Sequence, residues 1–188
     1  GIVVVASAGN YGSFFGTQVY GTITSPANDP SVITVGSPMS KDTTTRADDA
    51  VNAFSSRGPT RSGERNGSGV AVYDNLLKPD LVAPGNRVLA AAATSANATT
   101  PDWNTLAKVN TVLTQNLAFT QAYRETQMYL SGTSVAAPVV SGAVAVLLHA
   151  NPGLSPPMVK AILQYTAQPL PNADLMQQGA GLLNLQGA

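Results

Sequence analysis

The chain contains no cysteine, which removes disulfides, thiol chemistry and zinc ribbons from consideration. Charge is scarce as well. Ten basic and 10 acidic residues cancel, and charged residues make up only 11% of the chain. No basic face is evident, so neither nucleic acid nor a membrane surface is an expected partner. No uninterrupted apolar run reaches the ~18 residues of a membrane-spanning helix. Histidine is reduced to a single residue, His149, so any chemistry that needs an imidazole has one candidate in this chain. No carboxylate cluster has the spacing of a calcium loop, and no metal ligands are assigned from the residues.

The 188 residues suffice for one domain with a sizeable core. Ile2 to Ala6 is a continuous, mostly β-branched run, the pattern of a strand buried on both faces of a parallel sheet. A domain that enters such a strand at its first residues is expected to have a segment upstream. Ser31–Ser37 reads as a second strand, and "NAFSSRGPT" as a short strand running into a turn at Gly58-Pro59. Two further short strands, Asp80–Ala83 and Arg87–Ala91, flank the Pro84-Gly85 turn. Thr60–Tyr73 is read as an exposed loop. Asp29, Asp48, Asp49 and Asp80 are read as turn and surface residues.

Apolar residues recur at roughly helical spacing over Trp103–Glu125, which predicts one or two amphipathic helices. They would pack on their own domain or form a lid. Ser134–Leu148 is apolar almost all round and is expected to be a centrally buried helix, with Pro138 near its first turn. Ser155 is a candidate cap for a last helix that opens on Pro156 and Pro157. Without an internal repeat or linker, the whole reads as one α/β unit.

Ser134 is the residue with chemistry at stake. A serine at a helix N-terminus lies among free backbone N–H groups at the positive end of the helix dipole. An oxyanion formed by its attack would be stabilised there. Its small neighbours Gly132, Thr133, Ala136 and Ala137 leave room for a polypeptide to approach. Serine and threonine are also ordinary capping residues, so "GTS" alone decides nothing.

The longer string is more specific. "SGTSVAAPVVSG" resembles, at every position, the nucleophile signature of the subtilisin-like serine proteases, the subtilases. "VVVASAGN" resembles the family strand that ends in the oxyanion-hole asparagine, here Asn10. "SPANDPSVITVGS", "FSSRGP", "KPDLVAPG" and "GAGLLNLQGA" are similar to later family phrases in the same order. An asparagine after glycine is otherwise a common turn residue.

The resemblance implies residues 1–188 as the C-terminal portion of a three-layer α/β/α catalytic domain with a mostly parallel sheet. A helical insertion would occupy about 92–127. It further implies a serine endopeptidase with Ser134 as nucleophile and Asn10 as oxyanion donor. Ser7, Ala8, Gly9, Thr24 and Ser25 would line the substrate pocket, with Thr133 in a supporting contact. Calcium binding and a secreted or extracytoplasmic location are expectations from the family alone. Carbonyl oxygens of Pro26–Pro30 and Met39–Asp42 are the candidate calcium ligands.

The serine still needs a base, normally a histidine oriented by a carboxylate. His149 lies fifteen residues beyond Ser134 on the same expected helix. That separates them by over ~20 Å at ~1.5 Å rise per residue. Hydrogen-bond reach is about 3 Å, so His149 is not the base. In subtilases the Asp and His motifs precede the oxyanion asparagine, and nothing here resembles them. Three readings stay open: a chain completed by an N-terminal portion of the same protease, contiguous or as a separate chain; an inactive fragment; or a non-catalytic structural or binding relative.

Overall fold

The computed structural model describes residues 1–92, 106, 109–110, 112–115 and 127–188. These fall into two compact units, Gly1–Asn86 with Gly132–Ala188, and Arg87–Ser131. In the larger unit, β1 (Val5–Ser7), β4 (Ile33–Gly36) and β9 (Leu81–Val82) form a parallel sheet in the order β1-β4-β9. The register pairs Val5 with Ile33 and Val35 with Leu81. Short antiparallel pairs decorate it: β2 (Ser13–Phe14) with β3 (Thr17–Gln18), and β5 (Pro38–Met39) with β6 (Ala50–Val51).

Period-two alternation divides the sheet's two faces. Ile33, Val35, Leu81 and Ala83 pack with Ala136, Val140, Val144 and Leu147 of α2 (Thr133–Ala150) and with Val159 and Leu163 of α3 (Pro156–Thr166). Ala6, Ala8 and Val32 instead join Ile23 and Ala27 in a second cluster. The parallel α/β class read from the β-branched runs therefore holds, but the run Ile2–Ala6 is not a strand buried on both faces: β1 begins only at Val5, and Ile2 and Val4 are exposed. A last short helix, α4 (Leu175–Gln178), carries a capping box in which Asp174 accepts from the Gln177 N–H at 3.0 Å.

The smaller unit pairs β10 (Val88–Ala91) with β11 (Gln127–Leu130) in antiparallel register, and the Arg87 N–H donates to the Ser131 hydroxyl at 2.8 Å. It also contains the helical turn α1 (Val112–Gln115). Most of the predicted helical segment Trp103–Glu125 lies outside the described residues.

Several expectations require correction. Thr60–Tyr73 is not a plain loop: β7 (Gly63–Arg65) and β8 (Ala71–Tyr73) form an exposed hairpin within it. "NAFSSRGPT" forms no strand. Its Ser55, Ser56 and Arg57 are fully buried and serve as hydrogen-bonding struts. Helix α2 is buried along one face only; Ser141, Gly142, Ala145 and Val146 on the other are exposed among the described residues. At 18 residues it is also long and apolar enough to cross a membrane by length and composition. Val140, Val144 and Leu147 on its buried face pack against the sheet in the core. Pro138 falls in the second turn of α2, where it removes the bond to the Ser134 carbonyl. Ser155 stands at the N-cap of α3 without a side-chain cap bond.

Asp80 and Asp49 are buried as well. Asp80 Oδ2 accepts from Lys78 Nζ and from the Thr34 N–H, both at 2.7 Å, and its Oδ1 lies 3.0 Å from Lys160 Nζ. A carboxylate held by two ammonium groups is how a buried charge avoids its desolvation cost. Even so, burial pulls the Lys78 ammonium below the ordinary lysine range.

Candidate active site

Two chain turns meet at the N-terminus of α2. Strand β1 runs out through Ala8 and Gly9 to Asn10, and Ala8 stays in the β-sheet pattern by donating to the Val35 carbonyl at 2.9 Å. Gly9 has φ +107°, and a Cβ there would lie 2.8 Å from Ser56 Oγ and 2.9 Å from Thr24 Oγ1. Both the backbone angle and the close approach demand glycine. Ser56 braces this turn from two sides: its N–H donates to the Gly9 carbonyl at 2.9 Å, and its hydroxyl accepts from the Tyr11 N–H at 3.1 Å.

Thr133 locks Asn10. The Asn10 Oδ1 accepts from both the Thr133 N–H and the Thr133 hydroxyl, each at 3.0 Å. Thr133 Oγ1 in turn accepts from the Gly9 N–H at 3.1 Å. Because a backbone N–H can only donate, the atom bonded to it must be the amide oxygen, which leaves the Nδ2 donors unused by Thr133.

The first turn of α2 offers a matching donor. The Thr133 N–H is taken by Asn10, while the N–H groups of Val135 and Ala136 turn back to the Gly132 carbonyl at 3.0 and 3.3 Å. That leaves the Ser134 N–H as the first-turn donor without a partner among the described residues. Gly132, at φ +151°, lies between the two donors. A Cβ built on it would be 3.3 Å from Asn10 Nδ2 and 3.8 Å from the Ser134 N. Any other side chain at 132 would come into contact with both donor atoms. The Ser134 side chain itself is exposed.

The sequence-predicted pocket residues lie around the same turn. Thr24 donates from its N–H to the Ala8 carbonyl at 3.1 Å, which ties the Thr24–Ser25 loop to the Ser7–Gly9 strand end. Ser25 is exposed, and Ser7, Gly9 and Thr24 are partly so. The Ala8 side chain is buried in the second core cluster, leaving its backbone as the part that faces the loop. Thr133 is fully buried, with its hydroxyl engaged by Gly9 and Asn10. Sequence reasoning missed Ser55 and Ser56; the signal was a pair of hydroxyls ahead of Arg57-Gly58-Pro59, inside what read as a strand. His149 lies in the last turn of α2, exposed and at the far end from Ser134.

Of the carbonyls expected to offer calcium ligands, only Pro30, at the end of its loop, is engaged by an ammonium group among the described residues. The Pro30 and Val32 carbonyls already accept from Lys160 Nζ at 2.8 and 2.9 Å, and Lys78 Nζ also reaches the Val32 carbonyl at 2.8 Å. A divalent ion at these oxygens would face two ammonium groups. Among the described residues no group of three His, Asp or Glu side chains is placed to hold a metal.

Beyond the first strand of the parallel sheet, Asn10 is locked onto the N-terminus of a serine-bearing helix. Solved structures identify the fold as subtilisin-related. The chain is similar to fervidolysin from Fervidobacterium pennivorans, described as a keratinolytic enzyme related to subtilisin, at 27% identity and TM-score 0.65. The match covers 100% of this chain and 22% of that one. It shares its fold with the self-cleaved protease domain of PatA at 24% identity and TM-score 0.57, over 99% of this chain and 48% of that one. The subtilase family model matches residues 1–188. The chain belongs to the subtilase family. It is 34% identical to serine protease AprX of Bacillus subtilis over 188 residues, all of this chain but 35% of that protein. It is also 34% identical to subtilisin-like protease SBT3 of Solanum lycopersicum, over 65% of this chain and 13% of that one. The chain thus spans about a third or less of these curated relatives.

Proposed function

We propose that residues 1–188 form the C-terminal portion of a subtilase catalytic domain and supply the nucleophile and oxyanion donors of a serine endopeptidase. The observation that carries this reading is the lock on Asn10. Two bonds from Thr133 occupy its oxygen and leave its N–H donors for another acceptor, close to the Gly132 turn that also adjoins the Ser134 N–H. In the reaction, Ser134 Oγ bonds to the peptide carbonyl carbon and the carbonyl oxygen gains negative charge between these two donors. The hydroxyl proton passes to a base and then to the leaving amine as the C–N bond breaks. Water releases the acyl group by the reverse proton path.

The base and its orienting carboxylate come from outside these residues, from an N-terminal portion of the same protease, contiguous or as a separate chain. His149 is too distant, by ~20 Å of helix. Two features support an additional segment. Strand β1 pairs only with β4 among the described residues, leaving one sheet edge unpaired. Apolar surface lies bare near that edge and on α2: Ile2 is 85% exposed and Val146 56%. The substrate is a polypeptide, met by the Ser7–Gly9 and Thr24–Ser25 segments. Location outside the cytoplasm belongs to the same proposal and rests on the family alone. The test is peptide hydrolysis by the complete protein: Ser134→Ala should abolish it while leaving the fold intact, and retained turnover would refute the assignment.

A further inference from the structure

Two of the chain's four phenylalanines stand together beyond Asn10, at the tip of the β2–β3 hairpin. Phe14 is 67% exposed and Phe15 92%. Their rings meet edge to face with centroids 4.5 Å apart. Neither ring belongs to a core cluster among the described residues. Phe15 has φ +46°, a left-handed backbone that glycine or asparagine adopts at less cost than a bulky side chain. An exposed aromatic held in an unfavourable conformation costs stability, and that points to a role outside the fold.

The base of the hairpin is rigid. The Gly12 N–H donates to the Phe54 carbonyl at 2.8 Å, and the Val19 N–H closes the hairpin onto the Gly12 carbonyl at 3.0 Å. The guanidinium of Arg57, itself fully buried, donates from Nη1 to that same carbonyl. A Cβ on Gly12 would lie 1.9 Å from the Ser55 carbonyl, so the strand is pressed against the segment that also braces Gly9 and Tyr11. The aromatic tip is therefore presented at a fixed place relative to Asn10. Phe14 follows Asn10 by four residues and Phe15 by five, which at ~3.3–3.6 Å per residue puts their Cα atoms within about 18 Å of it. An extended peptide covers that span in about five residues.

We infer that Phe14 and Phe15 form a substrate-gripping element, selecting polypeptides with a bulky apolar or aromatic side chain within about five residues of the scissile bond. The inference rests on the endopeptidase reading and adds the class of substrate. Arg57 is a positioning residue for this element. An aromatic pair gains from such a side chain through burial of apolar area and ring contacts, while a polar side chain gains neither.

The test uses the complete protein and two sets of peptides with the same scissile bond. In one set a single residue, scanned over five positions on either side, is phenylalanine; in the other it is serine. The wild type should prefer phenylalanine at one or more positions. In Phe14→Ser/Phe15→Asn that preference should fall about tenfold, through KM, with the rate of labelling by a small fluorophosphonate unchanged. Asparagine suits the left-handed tip, which protects folding of the variant. Equal preference in variant and wild type, at normal labelling, would overturn the inference. So would a variant that melts lower with its preference intact, since the rings would then be covered by protein. A wild type that is folded and not labelled would overturn the endopeptidase reading itself.

Discussion

Thr133→Val isolates the lock on Asn10 with almost no change of shape. The substitution removes Oγ1, which accepts from the Gly9 N–H at 3.1 Å and donates to Asn10 Oδ1 at 3.0 Å. Thr133 is fully buried, so the Gly9 N–H has no ready substitute acceptor. An unsatisfied buried donor costs about 1–3 kcal/mol, and the lost hydroxyl bond adds a net ~0.5–1.5 kcal/mol. Unfolding free energy should therefore drop by about 2–4 kcal/mol, read from urea denaturation. The effect on turnover is smaller than deletion of the donor. Asn10 keeps its bond to the Thr133 N–H, so its amide is loosened and not lost. Losing an oxyanion donor outright costs roughly 10²–10³ in kcat in enzymes of the subtilisin type. Thr133→Val should lie well short of that, at about tenfold in kcat with KM nearly unchanged, because the donor acts on the transition state. Thr133→Ser should restore both stability and kcat. In an Asn10→Ala background, Thr133→Val should change kcat no further, since the two residues act as one unit. A kcat within twofold of wild type for Thr133→Val, or full additivity with Asn10→Ala, would refute the reasoning.

Other perturbations test neighbouring parts. Gly9→Ala forces a side chain onto a φ of +107° and to within 2.8 Å of Ser56 Oγ; we expect a loss above ~2 kcal/mol in unfolding free energy, and a neutral result would contradict the geometry. Asp80→Asn leaves the buried Lys78 ammonium without its counter-ion, at a cost of about 3–5 kcal/mol by thermal or urea unfolding. The depressed Lys78 pKa gives a pH signature. Below the folded value, the buried charge carries its full penalty. As pH rises from there towards the unfolded value of ~10.4, the unfolded state binds more protons and stability increases. Wild type should therefore gain stability relative to Lys78→Met across that alkaline window; a relative loss there would contradict the sign.

Much of the fold was legible because burial leaves strong marks. The β-branched run at Ser31–Ser37 announces a buried parallel strand, whereas Ile2–Ala6 overlaps β1 only at Val5 and Ala6 and leaves Ile2 and Val4 exposed. The small hydroxyl residues before the apolar run announce the N-terminus of α2. What escaped was polar and local. Asp80 reads as a turn residue because its two lysine partners, Lys78 and Lys160, come from different elements, and Lys160 is 80 residues away in sequence. The Ser55-Ser56-Arg57 strut looks like a strand because buried hydroxyls and a buried guanidinium leave no periodicity. The exposed face of α2 could not be told from its buried face, since alanine, valine and glycine occupy both. At the site, Ser134 and Asn10 were visible as candidates, but the means of orienting Asn10 was not. It depends on Thr133 reaching across 123 residues of sequence.

The central claim is that Ser134 is a nucleophile whose activating base lies outside residues 1–188. Peptide mapping by mass spectrometry after fluorophosphonate treatment of the complete protein tests it most directly. The account predicts a single adduct on Ser134, formed far more slowly when an upstream histidine is replaced and at an unchanged rate in His149→Ala. An adduct on another residue, or labelling of Ser134 that depends on His149, would contradict it.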